Sequence, residues 1–198
     1  MGKRIIILNG SPRKNGNTSG LIDAFCEGAV KSGNTVTRFD IQWMDIKPCL
    51  GCLKGGSGKS GLCTQNDDMD KIYPVYKEAD VIVFASPLYY WSFSAQLITA
   101  LNRLFAVTEA NDMKTPVLEC AMLIAAEEDS KENFAPITDY YKTLVKNLGW
   151  KDIGMILAGG VNEIGDIAGK PVLEEAKNLG LSINHMIIKV AHGNLYKS

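Results

Sequence analysis

The fold is decided by residues 4–19, which read Arg-Ile-Ile-Ile-Leu-Asn-Gly-Ser-Pro-Arg-Lys-Asn-Gly-Asn-Thr-Ser. The apolar, β-branched run at 5–8 is typical of a strand that is buried on both faces. The run stops at Asn9-Gly10-Ser11-Pro12, which predicts a turn. From Thr18 the apolar residues recur with helical spacing, and Asn17 or Thr18 could cap that helix. A buried strand, a polar loop and a helix form the opening unit of a parallel α/β fold.

The rest of the chain repeats this unit. Further strands are predicted at 35–41, 80–85, 117–124 and 153–158, with an apolar segment at 186–191 as a short edge. Helices are predicted near 69–76 and 97–105, at 134–148, and at 171–179 with Gly180 as the stop. Five such units predict a flavodoxin-like three-layer sandwich with a five-stranded parallel sheet in the order 2-1-3-4-5. We expect a single domain over 1–198, in which 43–66 is an irregular loop rich in cysteine and glycine.

Composition narrows the class of protein. The chain has 198 residues, 46% of them hydrophobic, and its 21 Lys and Arg against 22 Asp and Glu give a net charge of −1. These values suit one globular domain and give no electrostatic reason to expect nucleic acid or an anionic membrane as the partner. No apolar run approaches the ~20 residues that span a bilayer. Five cysteines without an export signal predict a cytoplasmic protein with mostly free thiols.

The loop after the first strand has the chemistry of an anion site. It leads into a helix N-terminus, where free backbone N–H groups and the helix dipole favour a phosphate. It lacks the lysine of a Walker A loop and the glycine spacing of a dinucleotide fingerprint, so we expect a single monophosphate. The alternative is a plain turn with a helix cap. The candidate binding residues are Ser11, Arg13, Asn15, Asn17, Thr18 and Ser19.

The loop after the third strand carries four aromatic residues between Ser86 and Ser94. Exposed aromatic rings need partners, and a planar ligand would use their faces. The alternative is that they pack beneath the next helix or in a dimer interface. The candidates here are Pro87, Leu88, Tyr89, Tyr90, Trp91 and Ser92. In a 2-1-3-4-5 sheet the two loops meet at the switch point, where ligands bind. A ligand with one phosphate and one flat ring system is FMN.

Four motifs carry a resemblance to a known family: Gly10-Ser-Pro-Arg with Gly16-Asn-Thr, Cys49-Leu-Gly-Cys52, Asp67-Asp-Met, and Ser86-Pro-Leu-Tyr-Tyr-Trp. The chain resembles the NADPH-dependent FMN reductases, in the branch that includes the iron–sulfur flavoproteins. The resemblance implies tightly bound FMN, with Ser11, Arg13, Asn17, Thr18 and Ser19 on the phosphate and 87–92 along the isoalloxazine. It also implies a homodimer or homotetramer.

The expected activity, also by resemblance, is hydride transfer from NADPH or NADH to the flavin and on to a quinone, an azo or nitro compound, free flavin or a protein. Hydride transfer needs no side-chain acid or base, so no catalytic residue is predicted. The alternative is an electron-transfer flavoprotein reduced by a ferredoxin. A third is a non-redox module that binds another phosphorylated ligand in the same pocket.

Three interpretations remain open for the role of Cys49, Cys52 and Cys63. Iron–sulfur flavoproteins have four close cysteines in this place, whereas here Gly55 stands three residues after Cys52. A cubane cluster or a structural zinc takes four ligands, so no metal ligand is predicted. The interpretations are inert thiols, a redox-active Cys-x-x-Cys pair, and a metal or cluster completed by a distant ligand.

Overall fold

The computed structural model describes residues 2–57 and 62–183, and a five-stranded parallel sheet forms its middle layer. The strand order β2-β1-β3-β4-β5 confirms the predicted flavodoxin-like fold, and each neighbouring pair is parallel. The strands are β1 (Arg4–Asn9), β2 (Thr35–Asp40), β3 (Val81–Pro87), β4 (Glu119–Ala125) and β5 (Lys151–Ala158).

Helices cover both faces of the sheet. Since successive residues of a strand face opposite sides, Ile5 and Ile7 pack with the first and last helices, while Ile6 and Leu8 pack on the other face. A short 3-10 helix, Ile41–Trp43, follows β2. The α-helices are α1 (Asn17–Lys31), α2 (Met69–Glu78), α3 (Ala95–Arg103), α4 (Phe105–Ala110), α5 (Lys131–Leu148) and α6 (Val172–Ser182).

Several predicted boundaries are wrong: β5 begins at Lys151 rather than 153, and the helix predicted near 97–105 is two helices, α3 and α4. Two further errors have a clear physical cause. Strand β4 begins at Glu119 rather than Val117, because the Val117 side chain is 83% exposed and has no place in the core. Helix α6 does not stop at Gly180 but continues to Ser182. The predicted segment 186–191 lies outside the described residues.

Gly180 serves the packing of α6 on α1. A Cβ at Gly180 would lie 2.2 Å from the carbonyl oxygen of Phe25, and one at Gly28 would lie 2.0 Å from that of Lys177. Each distance is far below van der Waals contact, so only glycine allows the two backbones to come this close. Gly180 is therefore a contact residue and not a helix stop.

The loops that follow β1 and β3 are joined directly. The backbone N–H of Gly10 donates to the carbonyl of Ala85 at 2.8 Å, and the Ser94 hydroxyl donates to the carbonyl of Gly10 at 2.7 Å. A Cβ at Gly10 would lie 2.4 Å from that hydroxyl oxygen, so glycine is needed for the approach. The two predicted binding loops thus share one edge of the sheet.

Candidate functional site: a cleft at the carboxyl edge of the sheet

The loop between β1 and α1 is shaped by its own side chains. The Asn9 side-chain amide donates to Asp40 at 2.7 Å, and its oxygen accepts from the backbone N–H of Ser11 at 3.0 Å. The Ser11 hydroxyl oxygen accepts from the backbone N–H of Arg13 at 3.2 Å. These hydrogen bonds turn the chain back toward α1 and hold the loop in one conformation before any ligand arrives.

The first turn of α1 offers unpaired donors. Its N-cap is Gly16, which has no side chain to accept from the first-turn N–H groups, and no acidic residue occupies that turn. Helix N-termini of this kind attract anions through these N–H groups and the helix dipole. Gly16, Asn17 and Thr18 line a cleft of about 190 Å³. This end of the cleft is therefore suited to a phosphate.

The structure divides the predicted phosphate residues into two groups. Ser11, Arg13, Asn17 and Thr18 line the cleft, whereas Asn15 and Ser19 are not part of its lining. The Ser19 hydroxyl instead donates to the carbonyl of Lys14 at 2.7 Å and accepts from Arg38 at 3.1 Å. Ser19 therefore supports the loop from behind.

Asn17 lines the cleft, but its side chain is already engaged. Its amide nitrogen donates to the carbonyl of Glu163 at 2.9 Å, and its oxygen accepts from the backbone N–H of Ile167 at 3.2 Å. The amide therefore connects α1 to the loop that follows β5. The remaining donors of Asn17 are its backbone N–H, in the first turn of α1, and the second hydrogen of its amide.

The loop after β3 forms the opposite wall. Pro87, Leu88 and Tyr89 line the same cleft, and Tyr90 and Trp91 line an adjoining depression of about 230 Å³. The loop is closed at its base, because the Ser86 hydroxyl oxygen accepts from the backbone N–H of Ser94 at 2.9 Å. The structure thus brings five of the six residues predicted for the ring to one place.

The tip of this loop is a strained hairpin. The backbones of Tyr89 and Ser92 exchange two hydrogen bonds, at 3.1 and 3.0 Å. Ser92 therefore contributes to the loop by closing this hairpin. Within the hairpin Tyr90 and Trp91 have φ values of +47° and +59°, where side chains other than glycine are disfavoured. Tyr90 is 94% and Trp91 55% exposed. Backbone strain and exposed aromatic rings are together typical of loops that face a ligand.

Two further segments of the lining were not predicted. Ala126 and Glu127 follow β4, and Val161 and Asn162 follow β5. Nothing in the run Ala125-Ala-Glu-Glu-Asp129 is a binding signature, so the only signal was the strand order, which places the end of β4 beside β3. Glu127 and Glu128 add negative charge at the aromatic end, whereas Arg13 and the α1 terminus make the other end positive.

The three cysteines of 49–63 lie around a separate small cavity of about 70 Å³, which shares no lining residue with the cleft. Cys49 and Cys52 are exposed and Cys63 is buried. Hydrogen bonds from the Thr64 hydroxyl and the backbone of Lys54 lower the pKa of the Cys52 thiol below its usual 9.0. The Cys52 thiolate is therefore favoured relative to an ordinary cysteine.

Arg103 and Asp67 form a buried ion pair under this cavity. Both side chains are 1% exposed and their atoms approach to 2.6 Å. Arg103 also donates to the sulfur of Cys63 at 3.4 Å. Burial opposes ionisation of Asp67, but hydrogen bonds from Arg103 and from the backbone of Lys47 and Met69 outweigh it and lower the pKa of this carboxyl.

Comparison with known proteins identifies the family. The sequence profile of the family described as NADPH-dependent FMN reductase matches residues 3–127. The chain belongs to this family. Its membership confirms FMN and a nicotinamide coenzyme, NADPH or NADH, as the predicted cofactor and co-substrate. The matched region contains both loops of the cleft and ends at Glu127, so the FMN reductase profile does not include the loop after β5.

Curated relatives are similar to the chain in sequence, and solved structures are similar to it in fold. An iron–sulfur flavoprotein of Archaeoglobus fulgidus is 31% identical over 176 residues, which is 88% of this chain and 76% of that protein. One from Methanosarcina thermophila is 28% identical over 173 residues, or 87% and 85% of the two chains. The fold is similar to that of an NAD(P)H:quinone oxidoreductase from Methanothermobacter marburgensis, with a TM-score of 0.73, 19% identity and 93% and 98% coverage. It is also similar to an FMN-dependent NADH-azoreductase from Bacillus anthracis in complex with FMN, with a TM-score of 0.64, 14% identity and 91% and 98% coverage.

The names of these relatives raise the question of an iron–sulfur cluster. Within 2–57 and 62–183, no three His, Cys, Asp or Glu side chains converge so that they could hold a metal ion. Residues 58–61, Gly-Lys-Ser-Gly, contain no cysteine. A cubane needs four ligands, usually thiolates, and this segment offers three, one of them buried against Arg103. Within the described ranges, the donor set of this segment therefore lacks the fourth ligand of such a cluster.

Proposed function

We propose that the chain is an FMN-dependent NAD(P)H oxidoreductase that passes electrons from reduced nicotinamide through the flavin to a small acceptor. The candidate acceptors are a quinone, an azo or nitro compound, and free flavin. The proposal is carried by one observation: a single cleft joins the open first turn of α1 to the strained aromatic hairpin after β3. The first supplies hydrogen-bond donors for the phosphate of a flavin monophosphate, and the second supplies aromatic side chains for its ring system.

The proposed roles follow from the geometry. The flavin phosphate would accept from the first-turn N–H groups of α1 and from Arg13 and Thr18. It would also accept from the Ser11 hydroxyl, which would give up its 3.3 Å hydrogen bond to the carbonyl of Arg13. The isoalloxazine would lie along Pro87, Leu88 and Tyr89, with Tyr90 and Trp91 at its outer side. When bound, FMN supplies the hydride acceptor of the reaction, while the side chains position it and exclude water from one face. No side chain is assigned the role of acid or base.

The acceptor would enter at the depression beside Tyr90 and Trp91. This depression is open and is flanked by Glu127 and Glu128. Planar acceptors could stack on the exposed rings, whereas the two carboxylates oppose a protein with an acidic face. A small planar molecule is therefore favoured over a ferredoxin.

We further propose that residues 1–198 act as one domain, in a cytoplasmic homodimer or homotetramer without nucleic-acid or membrane partners. The near-zero net charge supports the absence of a polyanionic partner. None of the described helices is both long and apolar enough to cross a bilayer.

Rapid mixing of the FMN-loaded protein tests the activity. NADPH or NADH should bleach the flavin absorbance, and a water-soluble quinone should restore it within the turnover time. Tyr90→Ala should raise the quinone KM, whereas Phe105→Ala, an exposed aromatic of α4 outside the cleft, should not. Fast bleaching by a reduced ferredoxin with slow bleaching by NADPH and NADH would contradict the proposal and favour an electron carrier.

A further inference from the structure

The loop after β5 forms part of the wall at the phosphate end of the cleft. Its residues 160–167 form one segment, the β5 strap. Two apolar side chains anchor it: Val161 and Ile167 are 5% and 6% exposed and belong to the core between the sheet and α1. Ile167 lies against α1, since its Cγ2 is 2.8 Å from where a Cβ of Gly20 would be. The strap is thus packed and not free to swing.

Hydrogen bonds join the strap to both sides of the predicted phosphate site. Arg13 donates to the carbonyl of Asn162 at 2.6 Å. Asn17 donates to the carbonyl of Glu163 at 2.9 Å and accepts from the backbone N–H of Ile167 at 3.2 Å. Val161 and Asn162 line the same cleft as the first turn of α1. The main chain of the strap therefore bridges Arg13 and Asn17 at the phosphate end of the cleft.

Asp166 gives the strap its shape. One carboxylate oxygen accepts from the backbone N–H of Asn162 at 2.9 Å and from that of Glu163 at 2.8 Å. These hydrogen bonds lower the pKa of the Asp166 carboxyl. The side chain itself does not line the cleft. Asp166 therefore does not contact a ligand in the cleft directly, but it holds the backbone that does.

We propose that the β5 strap closes the phosphate end of the cleft so that it accepts a flavin monophosphate and excludes a flavin dinucleotide, with Asp166 as a positioning residue. A monophosphate ends at the first turn of α1. A dinucleotide continues from the same phosphate into a second phosphate and an adenosine, which need an opening where Arg13 and Asn17 are bonded to the strap. This inference rests on the proposed function. The strap itself lies outside residues 3–127, which the family profile matches.

Three variants and three flavins test the strap. Asp166→Ala removes the acceptor of both backbone hydrogen bonds, and Asp166→Asn keeps an oxygen that can accept them. Glu163→Ala removes a carboxylate from the same strap; within the described part of the chain only the backbone of Glu163 is hydrogen-bonded. Dissociation constants of FMN, FAD and riboflavin are measured by titrating flavin fluorescence with each apoprotein. Thermal unfolding of every variant shows that it is folded.

Wild-type protein should bind FMN much more tightly than FAD. In Asp166→Ala the FMN affinity should fall about fivefold to tenfold. The ratio of the FAD to the FMN dissociation constant should become smaller. Riboflavin affinity should not change, because riboflavin has no phosphate. Asp166→Asn and Glu163→Ala should behave like wild type. An unchanged FAD-to-FMN ratio in Asp166→Ala, or an equal loss for riboflavin, overturns the role of the strap. Wild-type protein that binds no FMN overturns the proposed function instead.

Discussion

Asp67→Asn is the sharpest test of how the core under the cysteine segment is held together. The Asp67 carboxylate accepts two hydrogen bonds from Arg103, at 2.6 and 3.1 Å, and one each from the backbone N–H of Lys47 and Met69. The substitution keeps the shape of the side chain and removes its charge. It leaves the Arg103 guanidinium, 1% exposed, without a counter-ion.

Removing one partner of a buried ion pair costs about 3–5 kcal/mol, because the other charge stays buried and unpaired. With a urea dependence of ~2 kcal/mol per M, the unfolding midpoint should fall by about 2 M. Urea titrations followed by far-UV circular dichroism measure this shift at pH 7. Glu78→Gln is the control, since its bond to Arg4 is 3.4 Å long and its side chain is 74% exposed, and it should change stability by less than about 1 kcal/mol.

The same variant should change the response to acid. The folded-state pKa of Asp67 is lowered below the usual 3.8, so its contribution is complete above that value and is lost as the pH falls through the folded pKa. Asp67→Asn should therefore lose less stability than wild type between pH 5 and pH 3. Equal midpoints for Asp67→Asn and Glu78→Gln at pH 7 would refute the ion-pair argument.

Three further outcomes are expected. Thr18→Val should weaken FMN binding about tenfold, since one hydrogen bond to a charged phosphate is lost; flavin fluorescence measures this, and unchanged affinity would place the phosphate elsewhere. Trp91→Gly should stabilise the apoprotein by about 1 kcal/mol in urea, because Trp91 has a φ of +59° that glycine adopts without strain. The variant should nevertheless bind flavin less tightly. A loss of apoprotein stability would contradict the strain at Trp91. Cys52 should react with iodoacetamide faster than Cys26 at pH 7.5, because burial and the charge of Asp23 raise the pKa of Cys26 to about 11; peptide mass spectrometry gives both rates, and equal rates would show that the Cys52 thiolate is not favoured.

The order of the strands could be predicted because β1 and β3 contain unbroken, buried apolar runs, at 5–8 and 81–85. Such strands require helices on both faces, and few topologies then remain. Gly180 shows where local patterns fail. A glycine after a helical run usually ends the helix, but here it permits the approach of α1, which is distant in the sequence.

The candidate site was predictable where one short segment carries the chemistry. The loops after β1 and β3 each combine turn residues with donors or rings, and both lie in the cleft. Asn17 was predicted as a phosphate donor, but its amide bonds to the strap at Glu163 and Ile167; its role toward phosphate stays a prediction. Val161 has no side-chain chemistry that marks a binding wall, and only the tertiary structure places it there.

The close crossing of α1 and α6 has a consequence for biosynthesis. Helix α1 is made early, but the backbone of α6 near Gly180 packs against it at Gly28. A nascent chain that has already completed both cleft loops still exposes this apolar side of α1 until α6 has left the ribosome. Premature termination shortly after β5 would therefore yield a product with every family motif and a tendency to aggregate, rather than a smaller working reductase.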